Sequence, residues 1–241
     1  STPLIMKMIN DYCKSYYNNE NYGDFQVKYL LDNTTIYIVP LVNPDGLEIA
    51  LKGEDGIRNE EIRTRLREIP GYYIKWKANA RGVDLNRNFS SVNWGYDPSK
   101  GVSLSHSTCF KPNYRFFGGY KPASEPETQA IENLIRQNNF KILFDIHSRG
   151  RAIYWYKPIK SIEFNNKTKQ IAQEVSKYTG YNLVKSTSIP GDGTDGTTTD
   201  FGCENGIYSL TIETMPVNSN FPLKVEDIVK EWDRFKYIGL V

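Results

Sequence analysis

His147 is one of two histidines in a chain of 241 residues. The segment before it, Lys141-Ile142-Leu143-Phe144-Asp145-Ile146, is almost wholly apolar, with Asp145 the exception near its end. Such a run predicts a buried strand that delivers the imidazole to its end. An imidazole there can ligate a metal, move a proton, or only satisfy a hydrogen bond at a strand terminus, and position alone leaves all three open. Glu213 lies between Ile212 and Thr214 near the end of a second apolar run, Tyr208 to Thr214. A carboxylate in that setting needs a charged partner or a raised pKa, so it reads either as a functional acid or base or as half of a salt bridge. Asn86-Arg87-Asn88 is a dense polar cluster. An arginine beside an asparagine can grip a carboxylate with two parallel hydrogen bonds and a third from the amide; the alternative is a solvated loop.

These groups need a framework to bring them together. Helical spacing of Leu4, Ile5, Met8, Ile9 and Tyr12 predicts an amphipathic helix over 3–18. Thr35 to Val42 is β-branched and apolar, which predicts a central strand covered on both faces, stopped by the turn residues Asn43-Pro44-Asp45-Gly46. Residues 50–120 are polar and rich in Gly, Asn and aromatic types, which predicts long ordered loops. Ser124-Glu125-Pro126-Glu127 has the form of a capping box before a helix carrying Ile131, Leu134 and Ile135. Strands are expected at 141–146, 152–156 and 208–214, helices at 162–178 and 224–236, and a Gly/Asp/Thr loop at 191–199. Alternating strands and helices predict an α/β fold, with a mostly parallel or mixed central sheet and helices on both faces. In such sheets reactive groups gather beyond the carboxyl ends of strands, and Asn43–Gly46, Asp84–Asn88, His147-Ser148 and Glu213 are all expected there.

Composition narrows the function. The chain is 39% hydrophobic, enough for one domain spanning 1–241. Thirty basic and 28 acidic residues leave a formal charge of +2 without a basic run, which argues against nucleic acid as a partner. No stretch approaches the roughly 20 apolar residues of a membrane span. Cys13, Cys109 and Cys203 have no metal-type spacing and outline no disulfide framework. The chain opens at Ser1, without methionine, directly into a helical pattern, so the domain is expected to be incomplete at its N-terminus.

Asn43-Pro44-Asp45-Gly46, Arg81-Gly82-Val83-Asp84-Leu85-Asn86-Arg87-Asn88-Phe89, Ser124-Glu125-Pro126-Glu127-Thr128, Asp145-Ile146-His147-Ser148 and Thr211-Ile212-Glu213-Thr214 together resemble, in order, the zinc carboxypeptidase family, the M14 metallopeptidases. Trp76-Lys77-Ala78-Asn79 and Ile153-Tyr154-Trp155 are more similar to the bacterial branch that cleaves γ-D-glutamyl-diaminopimelate bonds in cell-wall peptides. The resemblance implies a zinc-dependent hydrolase of C-terminal peptide bonds. It makes His147 the third zinc ligand, Glu213 the general base, Asn86 and Arg87 the grip on the substrate's carboxylate, and Lys77 a cation at the scissile carbonyl.

Two departures follow. The family's other two ligands come from a His-x-x-Glu motif just before a helix resembling Ser1 to Tyr17, and His106 matches no ligand position. One zinc ion is therefore expected in the complete protein, weak or absent in this chain, which by itself is expected to be inactive. The loop Gly191–Phe201 lacks the family's tyrosine; its Asp192, Asp195 and Asp200 are either solvated or recognise a substrate amine. The alternative function is a non-catalytic module that binds peptide ends or peptidoglycan fragments. The branch implies a cell-surface or extracellular location, the cytoplasm being the other possibility. An incomplete sheet would leave an open edge, from which a dimer contact is expected.

Overall fold

A computed structural model describes residues 1–92, 94, 110–185, 195–220 and 223–241. Its centre is a mixed sheet of four strands, β1 (Ile142–Ser148), β2 (Ala152–Tyr154), β3 (Asn182–Val184) and β4 (Tyr208–Thr214), in the order β1-β4-β2-β3. β1 pairs parallel with β4, β2 antiparallel with β4, and β2 parallel with β3. Leu210 and Ile212 of β4, with Ile153 of β2, face one core with α1 (Thr2–Asn18), α6 (Ile162–Thr179) and α8 (Val225–Phe235). Because strand side chains alternate, the intervening residues of β1 and β4 face the other way. There Leu143 packs with Ile135 of α5 (Pro126–Gln137) and Phe201 of α7 (Thr198–Glu204). The expected α/β architecture, with a mixed sheet covered by helices on both faces, is what the chain adopts.

Three expectations need correction. Thr35–Val42 forms no strand among the described residues, and Tyr37, Val39, Leu41 and Val42 are exposed. Apolar, β-branched composition suits a residue to a ladder, but the ladder's hydrogen bonds come from a neighbour, and among the described residues no strand pairs with this segment. The capping box does not form either. Glu125 is the N-cap of α5, and Ser124 Oγ instead donates to Glu125 Oε1 at 2.8 Å, so Pro126 sets the helix start.

The stretch 50–120 is also less irregular than expected. Asn43 caps α3 (Pro44–Lys52) by accepting from Gly46 N at 2.9 Å, and Asn59 caps α4 (Glu60–Glu68) by accepting from Ile62 N at 3.1 Å. Asparagine followed by proline thus opens a helix here rather than closing a strand. α2 (Val27–Asn33) was not expected. Of the loop expected at 191–199, residues 191–194 lie outside the described residues, and Thr198 and Thr199 instead open α7.

A cavity of about 1940 Å³ opens between Thr35–Val42 and β1 and continues over the carboxyl ends of β1 and β4. The start of α1 spans one end of it. Thr2 Oγ1 donates to Pro40 O at 2.9 Å, and the Ser1 and Ser148 hydroxyls meet at 3.2 Å.

Candidate active site

Register places His147 opposite Glu213 and Asp145 opposite Thr211 on the parallel pair β1 and β4. All four side chains point to the same face, because each strand contributes residues two apart. The polar interruptions of two apolar runs thus become one patch. His147 and Ser148 sit within β1 rather than beyond it.

His147 Nε2 lies 2.9 Å from Asp145 Oδ2 and 3.1 Å from Asn86 Nδ2. Burial lowers the imidazole's pKa, but the Asp145 carboxylate, aided by Glu213, outweighs it and the net direction is upward. Both contacts fall on Nε2, the Asp145 carboxylate approaching as a charge and the Asn86 amide as the hydrogen-bond partner, which leaves Nδ1 as the other ring nitrogen. The carbonyl of His147 accepts from Thr214 Oγ1 at 2.8 Å, which ties the ends of β1 and β4 together.

Glu213 Oε2 is buried without a hydrogen-bond partner. Burial pushes this carboxyl above its ordinary range, against the pull of His147 and Lys77. An orphan carboxylate oxygen facing a cavity is suited to accept a proton.

Lys77 is positioned from a distance. Asn43, while capping α3, donates from Nδ2 to the carbonyls of Lys77 and Ala78 at 3.0 Å each. The backbone nitrogens of Lys77 and Ala78 donate to Tyr114 O at 2.8 and 3.1 Å. Gly46 permits the approach, since a Cβ there would lie 2.5 Å from Ala78 O. The Asn-Pro-Asp-Gly motif therefore acts on the lysine segment and not as a strand terminator.

Asn86 and Arg87 stand on one helical turn, Leu85–Arg87. Asn86 Oδ1 accepts from Thr198 N at 3.0 Å, so the amide bridges β1 and α7. Arg87 Nη1 donates to Asn86 O at 2.6 Å, while its Nε is buried without a partner. A guanidinium with an idle buried N–H beside a cavity is ready for an oxyanion. Asn88 plays a structural part, its Nδ2 donating to Gly118 O at 2.7 Å and its Oδ1 accepting from Glu125 N at 3.1 Å.

Lys77, Asn86, Arg87, His147 and Glu213 all line this cavity; within it Asn86 contacts His147 and Arg87, and His147 stands opposite Glu213 on the parallel pair. Asp145 and Thr198 were missed as site-building residues. The period-2 spacing of Asp145 with His147 was a readable signal; no sequence feature pointed to Thr198. His106 and Asp192 lie outside the described residues.

The sequence profile of the zinc carboxypeptidases, the M14 peptidases, matches residues 1–237. The chain belongs to the zinc carboxypeptidase family. Among its relatives, an uncharacterized Bacillus subtilis protein, YqgT, is 36% identical over 166 residues, 68% of this chain and 42% of that protein. Gamma-D-glutamyl-L-diamino acid endopeptidase 1 of Lysinibacillus sphaericus is 30% identical over 190 residues, 77% of this chain and 44% of that protein. The matches thus span less than half the length of these curated relatives. Bovine thrombin-activatable fibrinolysis inhibitor, solved in complex with tick carboxypeptidase inhibitor, superposes with a TM-score of 0.69 at 22% identity, covering 100% of this chain and 75% of its own. At that identity it shows the shared fold.

The family's ion is zinc. Among the described residues no three His, Cys, Asp or Glu side chains converge as a metal site. His147 with its Asp145 partner fits one corner of such a site, short of the three protein ligands a catalytic zinc takes. The described residues therefore do not amount to a zinc centre. No helix among the described residues is long and apolar enough to cross a membrane.

Proposed function

We propose that this chain carries the base and the carboxylate-binding groups of a metallocarboxypeptidase-type hydrolase that cleaves C-terminal peptide bonds in bacterial cell-wall peptides of the γ-D-glutamyl-diaminopimelate type. The observation that carries the reading is the convergence of Glu213, His147, Lys77, Asn86 and Arg87 on one cavity. The Lysinibacillus relative, whose name specifies a diamino acid substrate, supports the choice of peptide.

Arg87 and Asn86 hold the terminal carboxylate and so fix which peptide bond reaches β1 and β4. Lys77, a flexible cation, balances negative charge growing on the scissile carbonyl oxygen. Glu213 takes a proton from the attacking water and returns it to the departing nitrogen, a role for which its raised pKa is suited. The complete protein holds one zinc ion, with His147 among its ligands. This chain by itself, with His147 the one imidazole at the cavity among the described residues, binds zinc weakly or not at all and is inactive. The proposed location is the cell surface or outside the cell, where such peptides occur, with the cytoplasm as the alternative.

One observation favours a second reading for the chain as it stands. Asn86 and Arg87 stand side by side at the cavity, while the described residues hold no group of three metal ligands. A module that binds peptide ends without cleaving them needs only the former.

Zinc content and peptidase activity decide between the two, measured on this chain and on any longer product of the same reading frame. The substrates are a γ-D-glutamyl-diaminopimelate peptide and an ordinary C-terminal peptide. Stoichiometric zinc with cleavage of the first in the longer product supports the hydrolase. Absence of both in either product, with peptide binding retained, replaces it by the binding module.

A further inference from the structure

The proposed function puts a substrate's terminal carboxylate at Asn86 and Arg87, and the side chain of its last residue then lies against the adjoining wall of the cavity. That wall is the start of α7. Thr198 N donates to Asn86 Oδ1 at 3.0 Å. One residue earlier Thr197 caps α7, its N and Oγ1 donating to Asp200 Oδ2 at 3.0 and 2.7 Å. The other carboxylate oxygen, Asp200 Oδ1, accepts from Lys157 Nζ at 2.6 Å. Behind this pair Thr199 Oγ1 meets Thr211 Oγ1 at 3.2 Å. Lys157, Thr199, Asp200 and Thr211 all line the cavity, so its wall is polar from the carboxylate grip to the ion pair.

The pair is held in place by backbone. Asn165 accepts from Lys157 N at 2.9 Å and donates to Lys157 O at 3.0 Å, while the capping contacts fix Asp200. The side chains remain 22% and 17% exposed, so both charges are largely desolvated yet reachable from the cavity. To an incoming ligand they present a dipole with no net charge. A lone ammonium or a lone carboxylate gains little from it, because attraction to one end is offset by repulsion from the other. A head group bearing both charges can lie antiparallel, its carboxylate on Lys157 and its ammonium on Asp200, with charge-assisted hydrogen bonds at each end.

We propose that the Lys157–Asp200 pair determines specificity by recognising an ammonium and a carboxylate together at the far end of the last residue's side chain, as in a diamino dicarboxylic acid. This rests on the proposed function, which places the anchor at Asn86 and Arg87, and it adds the residues that read the distal head group.

Calorimetric titration of this chain with norleucine, lysine, 2-aminopimelate and meso-diaminopimelate, each acetylated on the α-nitrogen beside the anchoring carboxylate so that no ligand has an ammonium–carboxylate pair at that end, tests it. All four share the anchoring carboxylate and differ at the far end. The expected result is meso-diaminopimelate binding at least tenfold tighter than norleucine, with lysine and 2-aminopimelate within about threefold of norleucine. Lys157→Met and Asp200→Asn should each bring meso-diaminopimelate down to the norleucine level while norleucine affinity is unchanged. That unchanged affinity shows the variants are folded, and asparagine keeps an oxygen for the Thr197 cap. Norleucine binding without any preference for meso-diaminopimelate, or a preference that survives both substitutions, overturns this inference and leaves the anchor standing. Failure of all four to bind removes the anchor and this inference together.

Discussion

Asn86 holds His147 and Thr198 at once, its amide nitrogen 3.1 Å from the imidazole Nε2 and its carbonyl oxygen 3.0 Å from the Thr198 nitrogen. One side chain thereby sets the spacing between the end of β1 and the start of α7, the two walls between which a substrate must fit. Asn86→Ala should cost about 1–3 kcal/mol of stability, because the partners it leaves are partly buried. Chemical denaturation measures this, and an unchanged midpoint would show that the bridge holds nothing.

Arg87 is the expected anchor for a free carboxylate. Arg87→Met should weaken binding of a peptide with a free C-terminus by at least tenfold, and Arg87→Lys should restore only part of it, since a point charge cannot replace a planar fork. The amidated peptide should bind weakly and equally to all three proteins. Fluorescence titration reads the series, and equal loss for both peptides would mean that the arginine is structural.

Gly46 lies against the Ala78 carbonyl, which the capping asparagine also contacts. Gly46→Ala forces a methyl to within 2.5 Å of that oxygen. The expected cost is about 1–3 kcal/mol, accompanied by displacement of Lys77. Thermal unfolding gives the first, and a shift in the nuclear magnetic resonance signals of the 77–78 amides gives the second.

Glu231 is buried between Arg151, whose Nη2 donates to Oε2 at 2.6 Å, and Tyr181, whose hydroxyl donates to Oε1 at 2.5 Å. Burial, and then the bond to Glu231, hold the Tyr181 phenol above the usual tyrosine range. The native state keeps this proton longer than the unfolded chain does. The associated stability is therefore complete below about pH 10, the ordinary tyrosine pKa, and is lost as pH rises beyond it. Tyr181→Phe should flatten that alkaline loss, and Glu231→Ala should cost about 1–3 kcal/mol by leaving the Tyr181 hydroxyl and the Arg151 guanidinium without their acceptor. Unfolding curves across pH 7–11 check both.

The exposed segment Thr35–Val42 and the neighbouring edge of β1 offer apolar surface to another chain. Self-association through them is expected, visible as concentration-dependent sedimentation and abolished by Val39→Lys together with Ile142→Lys. A wild-type chain that sediments as a monomer at every concentration would dispose of the dimer.

Periodicity made much of this protein legible. The apolar spacing of α1, the runs that became β1 and β4, and the stripe of α6 are local properties, because a helix or strand buries one face whatever its neighbours are. The five motifs that led to the family likewise stand in the sequence. Less visible were helices opened by a single asparagine, as at Asn43 and Asn59, where cap and turn use the same residue types.

By itself, then, the sequence determined the alternating α/β character, the identity of Glu213, His147, Asn86 and Arg87 as chemically capable groups, and the family to which they belong. Only the tertiary structure decided that Thr35–Val42 forms no strand, since pairing is a property of two segments and not of one. It also decided that Asn43 acts through Lys77 and that Lys157 meets Asp200, contacts between residues 34 and 43 positions apart in the chain. No local pattern encodes such contacts, because they depend on how the elements pack.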